Sequence, residues 1–470
     1  MLKARQMKAE FVFGQFTLTL ALALAKTRHF TEQVLDVLKS AASFHVQRQA
    51  KYKEYMWIRE MIPVPKDIKQ LIVNMIQHSK CGWEESSQSL VEFGFLLMDM
   101  YSPRVGFGRT GPSTAFNCCQ LGQAIILETF KVNKDSCGNI MDLVVDRFLS
   151  KPSAPTEHYF DLLAQMIQAS PQLLVQCQAQ IQKLLGHLPN MPCHSTVKLL
   201  RAATPLIKAS SALRDWLMIM LRKLLFYREL ECRKVAVSGI LVLLRNLKPP
   251  GPVGRFGREA DFTLSQLSVQ VSQPSDSSSH QSVCMELFGL LNKSLTQQGP
   301  LRQLLYQGFP EVIAQNINLT EVVLELFLLQ LQKYYDGNDN AYPPLKLSGV
   351  VQINMDKAVL QEPLGHLVLG AHRCLMVARK YCQDSSEEQE KGAQSALQKL
   401  LGNLTKAMVD AELEAFSLDK MSDFTMSSVG QKNKLIAMEL RNICEALIEH
   451  TLSYGDWSAS SAQVSLKLFA

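Results

Sequence analysis

The sequence lacks the short motifs by which enzymes and metalloproteins are usually identified. It contains no Walker P-loop, no His-Glu-x-x-His, no Gly-x-Ser-x-Gly and no Cys-x-x-Cys, so the phosphate, zinc and nucleophile sites that these motifs build are not indicated. No segment holds eighteen uncharged apolar residues in a row, which argues against a membrane-spanning helix. We therefore expect a chain that is not an enzyme, needs no cofactor and has no membrane partner.

The cysteines also lack the spacing of a metal site or of a disulfide framework. The eleven cysteines are an odd number and are scattered along the chain. A chain of 470 residues is much longer than the small scaffolds that disulfides hold together. The cysteines are therefore predicted to be free, mostly buried thiols in a reducing compartment, the cytosol or the nucleus.

A large excess of charge of either sign is also absent. Lys and Arg number 49 against 43 Asp and Glu, and the net charge of +6 permits a polyanionic partner without requiring one. Apolar residues make up 47% and charged residues 20%, which is typical of a packed fold rather than a disordered chain. The length predicts about three globular units or one long repetitive array.

The first 26 residues have two interpretations. Three basic residues precede an uncharged stretch, 11–25, that ends in Ala-Leu-Ala-Leu-Ala, a pattern typical of a secretory signal. Secretion would bring N-glycans to the sequons at Asn292, Asn318 and Asn403. The alternative is a first helix of the fold, because polar residues interrupt the apolar run, which is also too short to span a bilayer.

Helical periodicity is present along nearly the whole chain, in about eighteen segments separated by short Pro, Gly, Ser or Asn breaks. In residues 320–335, for example, Glu321, Glu325 and Gln332 share one narrow stripe and the remaining surface is mostly apolar. Helices that are apolar on most sides and joined by short connections stack pairwise. The predicted fold is all-α, an α-solenoid of degenerate HEAT- or armadillo-like repeats, because no clean sequence period is found.

Two breaks in the helical pattern suggest how the chain is divided. One is a Ser-, Gly- and Pro-rich stretch at 248–280, and the other is a connection at 336–358 with room for a short strand. The predicted division is an atypical N-terminal segment 1–26, solenoid repeats 27–247, a regulatory loop 248–280, solenoid repeats 281–335, the connection 336–358, a helical domain 359–456 and a tail 457–470.

A Gly-x-Gly-x-x-Gly sequence occurs at 106–111. In dinucleotide-binding folds its glycines follow a strand and open a helix. Here a predicted helix precedes it and Pro112 follows it, so a surface loop is the better interpretation.

Positive charge is concentrated around two predicted helices in the middle of the chain. Residues 214–258 contain ten basic and three acidic residues, a net charge of +7 that more than accounts for the +6 of the whole chain. Such a surface suits a phosphate backbone, although a solvated helical face explains it equally well. The candidate DNA-binding residues are Arg222, Lys223, Arg228, Arg233, Arg245 and Lys248.

Three Ser-Gln or Thr-Gln dipeptides follow, at Ser265, Ser272 and Thr296. DNA-damage checkpoint kinases select this dipeptide, and a phosphate would place about two negative charges beside the basic helices. Ordinary loop residues are the alternative. Ser265 and Ser272 are the candidate phosphorylation sites.

Several longer blocks resemble the Fanconi anaemia group I protein family. The most distinctive is Cys232-Arg233-Lys234-Val235-Ala236-Val237. Other blocks appear in the family's order, at 92–99, 127–131, 213–215, 221–223, 304–309, 343–347, 360–364 and 416–420. The similarity runs from about residue 28 to residue 456.

The resemblance implies a nuclear, non-enzymatic α-solenoid scaffold of interstrand-crosslink repair, on chromatin and with the cytoplasm as a second location. It implies a heterodimer with the group-D-two paralogue around double-stranded or branched DNA. It also implies that Lys234 is monoubiquitinated by the Fanconi core ubiquitin ligase with its E2. Ser265 matches the last Ser-Gln of the family's phosphorylation cluster, but upstream members are replaced by Pro, Gly and Arg.

Family members are longer than this chain, and residues 1–26 match them poorly. This puts autonomous enclosure of DNA in doubt and makes a fragment boundary or a mispredicted start the better interpretation of the signal-like beginning. The alternative function is a generic α-solenoid adaptor that binds protein partners without contacting DNA.

Overall fold

A computed structural model describes residues 12–27, 29–61, 67–78, 84–101, 112–134, 137–150, 157–247, 276–335, 343–347, 349–354, 357–382, 392–454 and 459–469. The chain forms two compact units, Met1–Met220 and Leu221–Ala470. Almost all regular structure in the described residues is helical, and the prediction of an all-α solenoid is confirmed.

The helices of the first unit are α1 (Gln15–Ala25), α2 (Thr31–Glu54), α3 (Met56–Met61), α4 (Ile68–His78), α5 (Glu84–Met98), α6 (Pro112–Val132), α7 (Cys137–Ser150), α8 (Glu157–Ala169), α9 (Pro171–Gln176), α10 (Gln178–Gly186) and α11 (Cys193–Ala209). Helix α12 (Ser211–Leu225) crosses into the second unit.

The second unit continues with α13 (Leu230–Asn246), α14 (Asp276–Ser294), α15 (Gly299–Gln315), α16 (Thr320–Gln332), β1 (Val351–Asn354), β2 (Lys357–Leu360), α17 (Leu364–Cys382), α18 (Gly392–Val409), α19 (Ser428–Tyr454) and α20 (Ala459–Phe469). The strands β1 and β2 form an antiparallel hairpin, in the segment where the sequence left room for a short strand. Helix α20 packs on α19 and occupies the stretch that the sequence division treated as a tail.

The signal-like stretch of the sequence forms α1. Leu18 and Leu22 of this helix are fully buried, and α1 packs against α2 and α5. This arrangement corresponds to the second interpretation of the stretch, a helix of the fold, and burial of such leucines contributes about 1.5 to 3 kcal/mol each.

Glycine allows a close contact between two helices of the first unit. Helices α5 and α6 cross where Gly94 faces Gly122. A Cβ atom on Gly94 would lie 2.6 Å from Cγ1 of Ile126, and one on Gly122 would collide with the carbonyl oxygen of Gly94. The two backbones therefore approach to a distance that only glycine permits.

The cysteines that the structure describes agree with the sequence prediction. Nine of them are free thiols, and seven of these are buried. Burial raises the pKa of Cys118 to about 11 and, with nearby acidic residues, that of Cys119 to about 12. These thiols are therefore protonated and unreactive at neutral pH.

In the second unit, alternate helices along the chain pack in a row. Helix α13 packs on α15, α15 on α17 and α17 on α19, while α16 contacts both α17 and α18. Each helix is thus covered on two sides, which explains why their sequences are apolar around most of the circumference.

A buried carboxylate joins three parts of this row. Glu362, between β2 and α17, is fully buried. Its oxygens accept hydrogen bonds from the guanidinium of Arg302 at 2.5 Å and from the hydroxyl of Tyr306 at 2.8 Å. They also accept bonds from the amide of Gln330 at 2.9 Å and the hydroxyl of Tyr334 at 3.0 Å. The charge is therefore tolerated inside the unit because it is paired and fully hydrogen-bonded.

Two histidines meet between α17 and α19. The Nδ1 atoms of His372 and His450 lie 3.2 Å apart, and both side chains are buried. Burial, and then His372, lower the pKa of His450 to about 4. The pKa of His372 is also lowered by burial, against the opposing effect of Glu449, which lies 3.9 Å away and is in turn 3.4 Å from Arg373.

This histidine pair should make the chain less stable in mild acid. Since the folded pKa is below the unfolded value of about 6.5, the stability is highest above pH ~6.5 and falls as the pH drops toward 4, because the unfolded chain takes up a proton that the folded chain does not bind. The free energy of unfolding should drop by roughly 1 to 2 kcal/mol from this source between pH 7 and pH 5, measured by urea unfolding. His450→Gln should flatten the dependence and exposed His29→Gln should not; an unchanged dependence in His450→Gln would contradict the prediction.

Candidate functional site

The candidate site lies where α12 ends and α13 begins. The two helices are joined by a connection at 226–229. Every residue of α13 from Val235 to Leu244 is buried, because the helix packs against α14 and α15. Only its first turn and its last residues reach the surface.

The predicted solvent-facing side of α13 is corrected by the structure. At 100° per residue, Lys234 falls on the same side of the helix as Ser238 and Arg245 and away from Val235, so the sequence predicts that this side faces solvent. Ser238 is buried and only 10% of the Arg245 side chain is exposed. The periodicity was misleading because the neighbouring helices cover α13 on this side as well.

Lys234 itself remains accessible in the first turns of α13. Its side chain is 28% exposed, and Nζ donates a hydrogen bond to Oε1 of Glu231 at 2.8 Å. Glu231 is mostly exposed, so the pair is a surface interaction worth only about 0.3 to 0.5 kcal/mol. The ammonium group can therefore leave this partner at little cost.

Three of the candidate DNA-binding arginines contact other side chains of the same unit. Arg222 pairs with Glu286 of α14, and Arg245 pairs with Glu311 of α15 at 2.5 Å. Arg233 donates hydrogen bonds to the side-chain oxygens of Gln297 and Gln298, at 3.1 and 3.2 Å. Gln297 belongs to the third Ser/Thr-Gln dipeptide, whose Thr296 is exposed.

The positive charge that the sequence concentrates here is thus partly neutralised in the fold. Glu286 and Glu311 lie far along the chain from the arginines that they contact. Both glutamates lie outside the continuous basic segment 214–258, so a local count of charge does not include them. No local signal could have identified them, since helix packing brings them to the site.

The exposed part of the site is its loop and the end of α12. Lys223 and Arg228 are exposed, and between them Phe226 and Tyr227 are 61% and 49% exposed. An interpretation of this basic segment as lacking interleaved aromatic residues is therefore wrong, because Phe226 and Tyr227 lie between two of its basic residues. Exposed aromatic rings beside basic groups suit contact with nucleotide bases or with a protein surface.

Several residues singled out in the sequence lie outside the described residues. These are Lys248, Ser265, Ser272 and the glycine-rich stretch 106–111. Among the residues that the structure describes, no group of three or more His, Cys, Asp or Glu side chains is placed to hold a metal ion. In the same part of the chain, no helix is both long enough and apolar enough to cross a bilayer.

Comparison with known proteins matches one family along the chain. Residues 1–78 match the family model described as FANCI helical domain 1, residues 87–241 match FANCI solenoid 2, and residues 259–470 match FANCI helical domain 2. The chain is 33% identical over 469 residues to the Fanconi anemia group I protein of Gallus gallus. It is 32% identical over 468 residues to the Fanconi anemia group I protein homolog of Mus musculus.

These relatives are much longer than the chain. Each alignment covers 97% of this chain but 35% of the relative. The chain thus spans about a third of the length of the curated relatives it matches.

Proposed function

The chain belongs to the Fanconi anaemia group I protein family, and from this premise we propose that it is a non-enzymatic scaffold in the repair of DNA interstrand crosslinks. The observation that carries the proposal is the succession of three models of this one family along the chain. A stack of helices offers a long surface to partners, as scaffold proteins require. The proposed location is the nucleus, on chromatin.

The proposed partners are duplex or branched DNA and the paralogous group-D-two subunit. We assign the DNA contact to the connection between α12 and α13. Lys223 and Arg228 are exposed there, whereas Arg222, Arg233 and Arg245 already contact other side chains. Lys223 and Arg228 are therefore proposed to contact phosphate directly. The three paired arginines are proposed to contribute mainly to the positive electrostatic field around these two residues. Lys248 stays a sequence-based candidate.

Regulation is proposed to act on the same region. Lys234 is the proposed acceptor of ubiquitin from the Fanconi core ligase and its E2, because its amine is accessible at the start of a firmly packed helix. Ser265 and Ser272 are the proposed targets of a checkpoint kinase. Phosphate in this stretch would lie close in sequence to the basic helices and would compete with DNA for them.

A DNA-binding measurement tests the scaffold proposal. The chain should bind a fluorescent duplex with an affinity that falls steeply with salt, and the double variant Lys223→Gln/Arg228→Gln should reduce the slope of log K against log salt by about 1 to 2. Lys399→Gln/Lys406→Gln removes the same charge from exposed positions of the same unit and should have little effect. Fluorescence anisotropy at several salt concentrations measures both.

The same titration separates the proposal from its alternative. If the chain does not bind duplex DNA, or binds it without salt dependence, the DNA contact is wrong and the protein-binding adaptor is the better interpretation. If both double variants weaken binding equally, the assignment to the α12–α13 connection is wrong.

A further inference from the structure

An exposed apolar surface occurs in the second unit, between α18 and α19. We call it the 413–429 patch. Its apolar members are more than half exposed, and Met421 and Met426 are 90% and 87% exposed. The full set is Leu413, Met421, Phe424, Met426 and Val429.

Buried side chains of the same segment hold the patch in place. Its chain begins with a short 3-10 helix, Leu413–Phe416, and turns at Ser417, whose φ of 60° is left-handed. Phe416 and Leu418, on either side of this residue, are buried. Two apolar side chains of the segment thus anchor it in the core, while the five members of the patch face solvent.

Two aspartates fix the conformation of the exposed part. Oδ1 of Asp419 accepts hydrogen bonds from the backbone amide of Met421 and the hydroxyl of Ser422, both at 2.9 Å. Asp423 accepts from the amide of Thr425 at 2.8 Å and the hydroxyl of Ser427 at 2.6 Å. The side chain of Gln431 donates to the carbonyl of Met426 at 2.9 Å. These hydrogen bonds therefore order the loop that carries Met421 and Met426.

The segment that carries the patch is acidic, and Lys432 and Lys434 follow it in α19. Residues 410–429 contain five acidic residues and one lysine, a net charge of −4. The acidic residues are Asp410, Glu412, Glu414, Asp419 and Asp423. This charge repels nucleic acid and anionic lipid and attracts cationic groups.

We propose that the 413–429 patch is a docking surface for a basic amphipathic segment of a partner protein. Apolar side chains of the partner cover Met421, Phe424 and Met426, and its Lys or Arg residues face the acidic residues of the patch. Methionine is well suited to this role because its flexible, polarisable side chain adapts to different apolar surfaces. The surface is separate from the basic α12–α13 connection and opposite to it in charge, so the proposal does not depend on DNA binding.

A pair of peptides tests the proposal. The probe is a fluorescent synthetic peptide in which Leu-Phe pairs alternate with Arg, and its counterpart has Glu in place of every Arg. Anisotropy titrations with the whole chain should show binding of the basic peptide that weakens with salt, and at least tenfold weaker binding of the acidic one. Met421→Ser/Met426→Ser should weaken binding of the basic peptide by about tenfold, as expected for the loss of two central contacts.

The control variant makes the same two substitutions at exposed methionines outside the patch. Met56→Ser/Met61→Ser also replaces two highly exposed methionines and should leave peptide binding unchanged. Neither double variant removes packed atoms, so circular dichroism and the unfolding midpoint should match the unmodified chain.

Three results would overturn the proposal. The first is equal binding of the basic and acidic peptides. The second is an equal loss of peptide binding in the two double methionine variants. The third, from sedimentation velocity, is a self-associated chain that Met421→Ser/Met426→Ser converts to monomer, because the patch would then be covered by a second copy of the chain.

Discussion

Glu362→Ala is expected to lower the free energy of unfolding by about 3 to 5 kcal/mol, the usual cost of removing one partner from a buried ion pair. The carboxylate accepts bonds from Arg302, Tyr306, Gln330 and Tyr334. Without it, the Arg302 guanidinium, only 14% exposed in the side chain, stays buried without its anion. Urea unfolding followed by circular dichroism measures the change.

Two further variants define the cause of this loss. Glu362→Gln keeps the shape and one acceptor but removes the charge, so it should cost less than alanine. Glu445→Ala breaks the exposed pair with Arg441 and should cost less than about 1 kcal/mol. If Glu362→Ala unfolds at the same urea concentration as Glu445→Ala, the carboxylate does not join these helices energetically.

Lys234→Arg should abolish the monoubiquitination that is proposed for the chain. Arginine keeps the positive charge and its pairing with Glu231, yet its guanidinium remains protonated and cannot act as the acceptor amine. The measurement is conjugation of ubiquitin by the Fanconi core ligase and its E2 in the presence of the group-D-two partner, scored by the mass of the product. Unfolding by urea should be unchanged, which separates the loss of the acceptor from a loss of structure.

Two control variants at nearby residues test whether the effect is specific to Lys234. Lys223→Arg changes an exposed lysine of the same site and should leave conjugation intact. Glu231→Gln removes the partner of the Lys234 ammonium and should also leave it intact, because the surface pair is weak. Conjugation of Lys234→Arg at the rate of the unmodified chain would show that another lysine is the acceptor.

Much of the fold could be predicted from local patterns. The 3.6-residue periodicity in segments such as 320–335 indicated helices that are covered on most sides, and the row of helices in the second unit shows why. Helix α20 was missed because eleven residues are too short a segment for a clear helical period, and Leu468 alone is buried among its described side chains. The burial of Ser238 was missed because a polar residue at a helix–helix contact looks like a surface residue in the sequence.

The candidate site was predictable in position but not in composition. The sequence located Lys234 and the basic residues around it, and the aromatic residues at the loop were visible in it but not used. The contacts of Arg222 and Arg245 with Glu286 and Glu311 could not be predicted. Helix periodicity says which face of a helix is apolar and nothing about which distant helix packs against it.

The sequence alone determined the helical class, the family, the free thiols and the concentration of basic residues near Lys234, because each depends on residue type and on spacing over a few turns. The tertiary structure decided which basic residues stay exposed, how Glu362 is satisfied, how His372 meets His450 and that Met421 and Met426 face solvent. These features depend on side chains brought together from distant helices, and only the packing of those helices sets the distances and burial that control their energies.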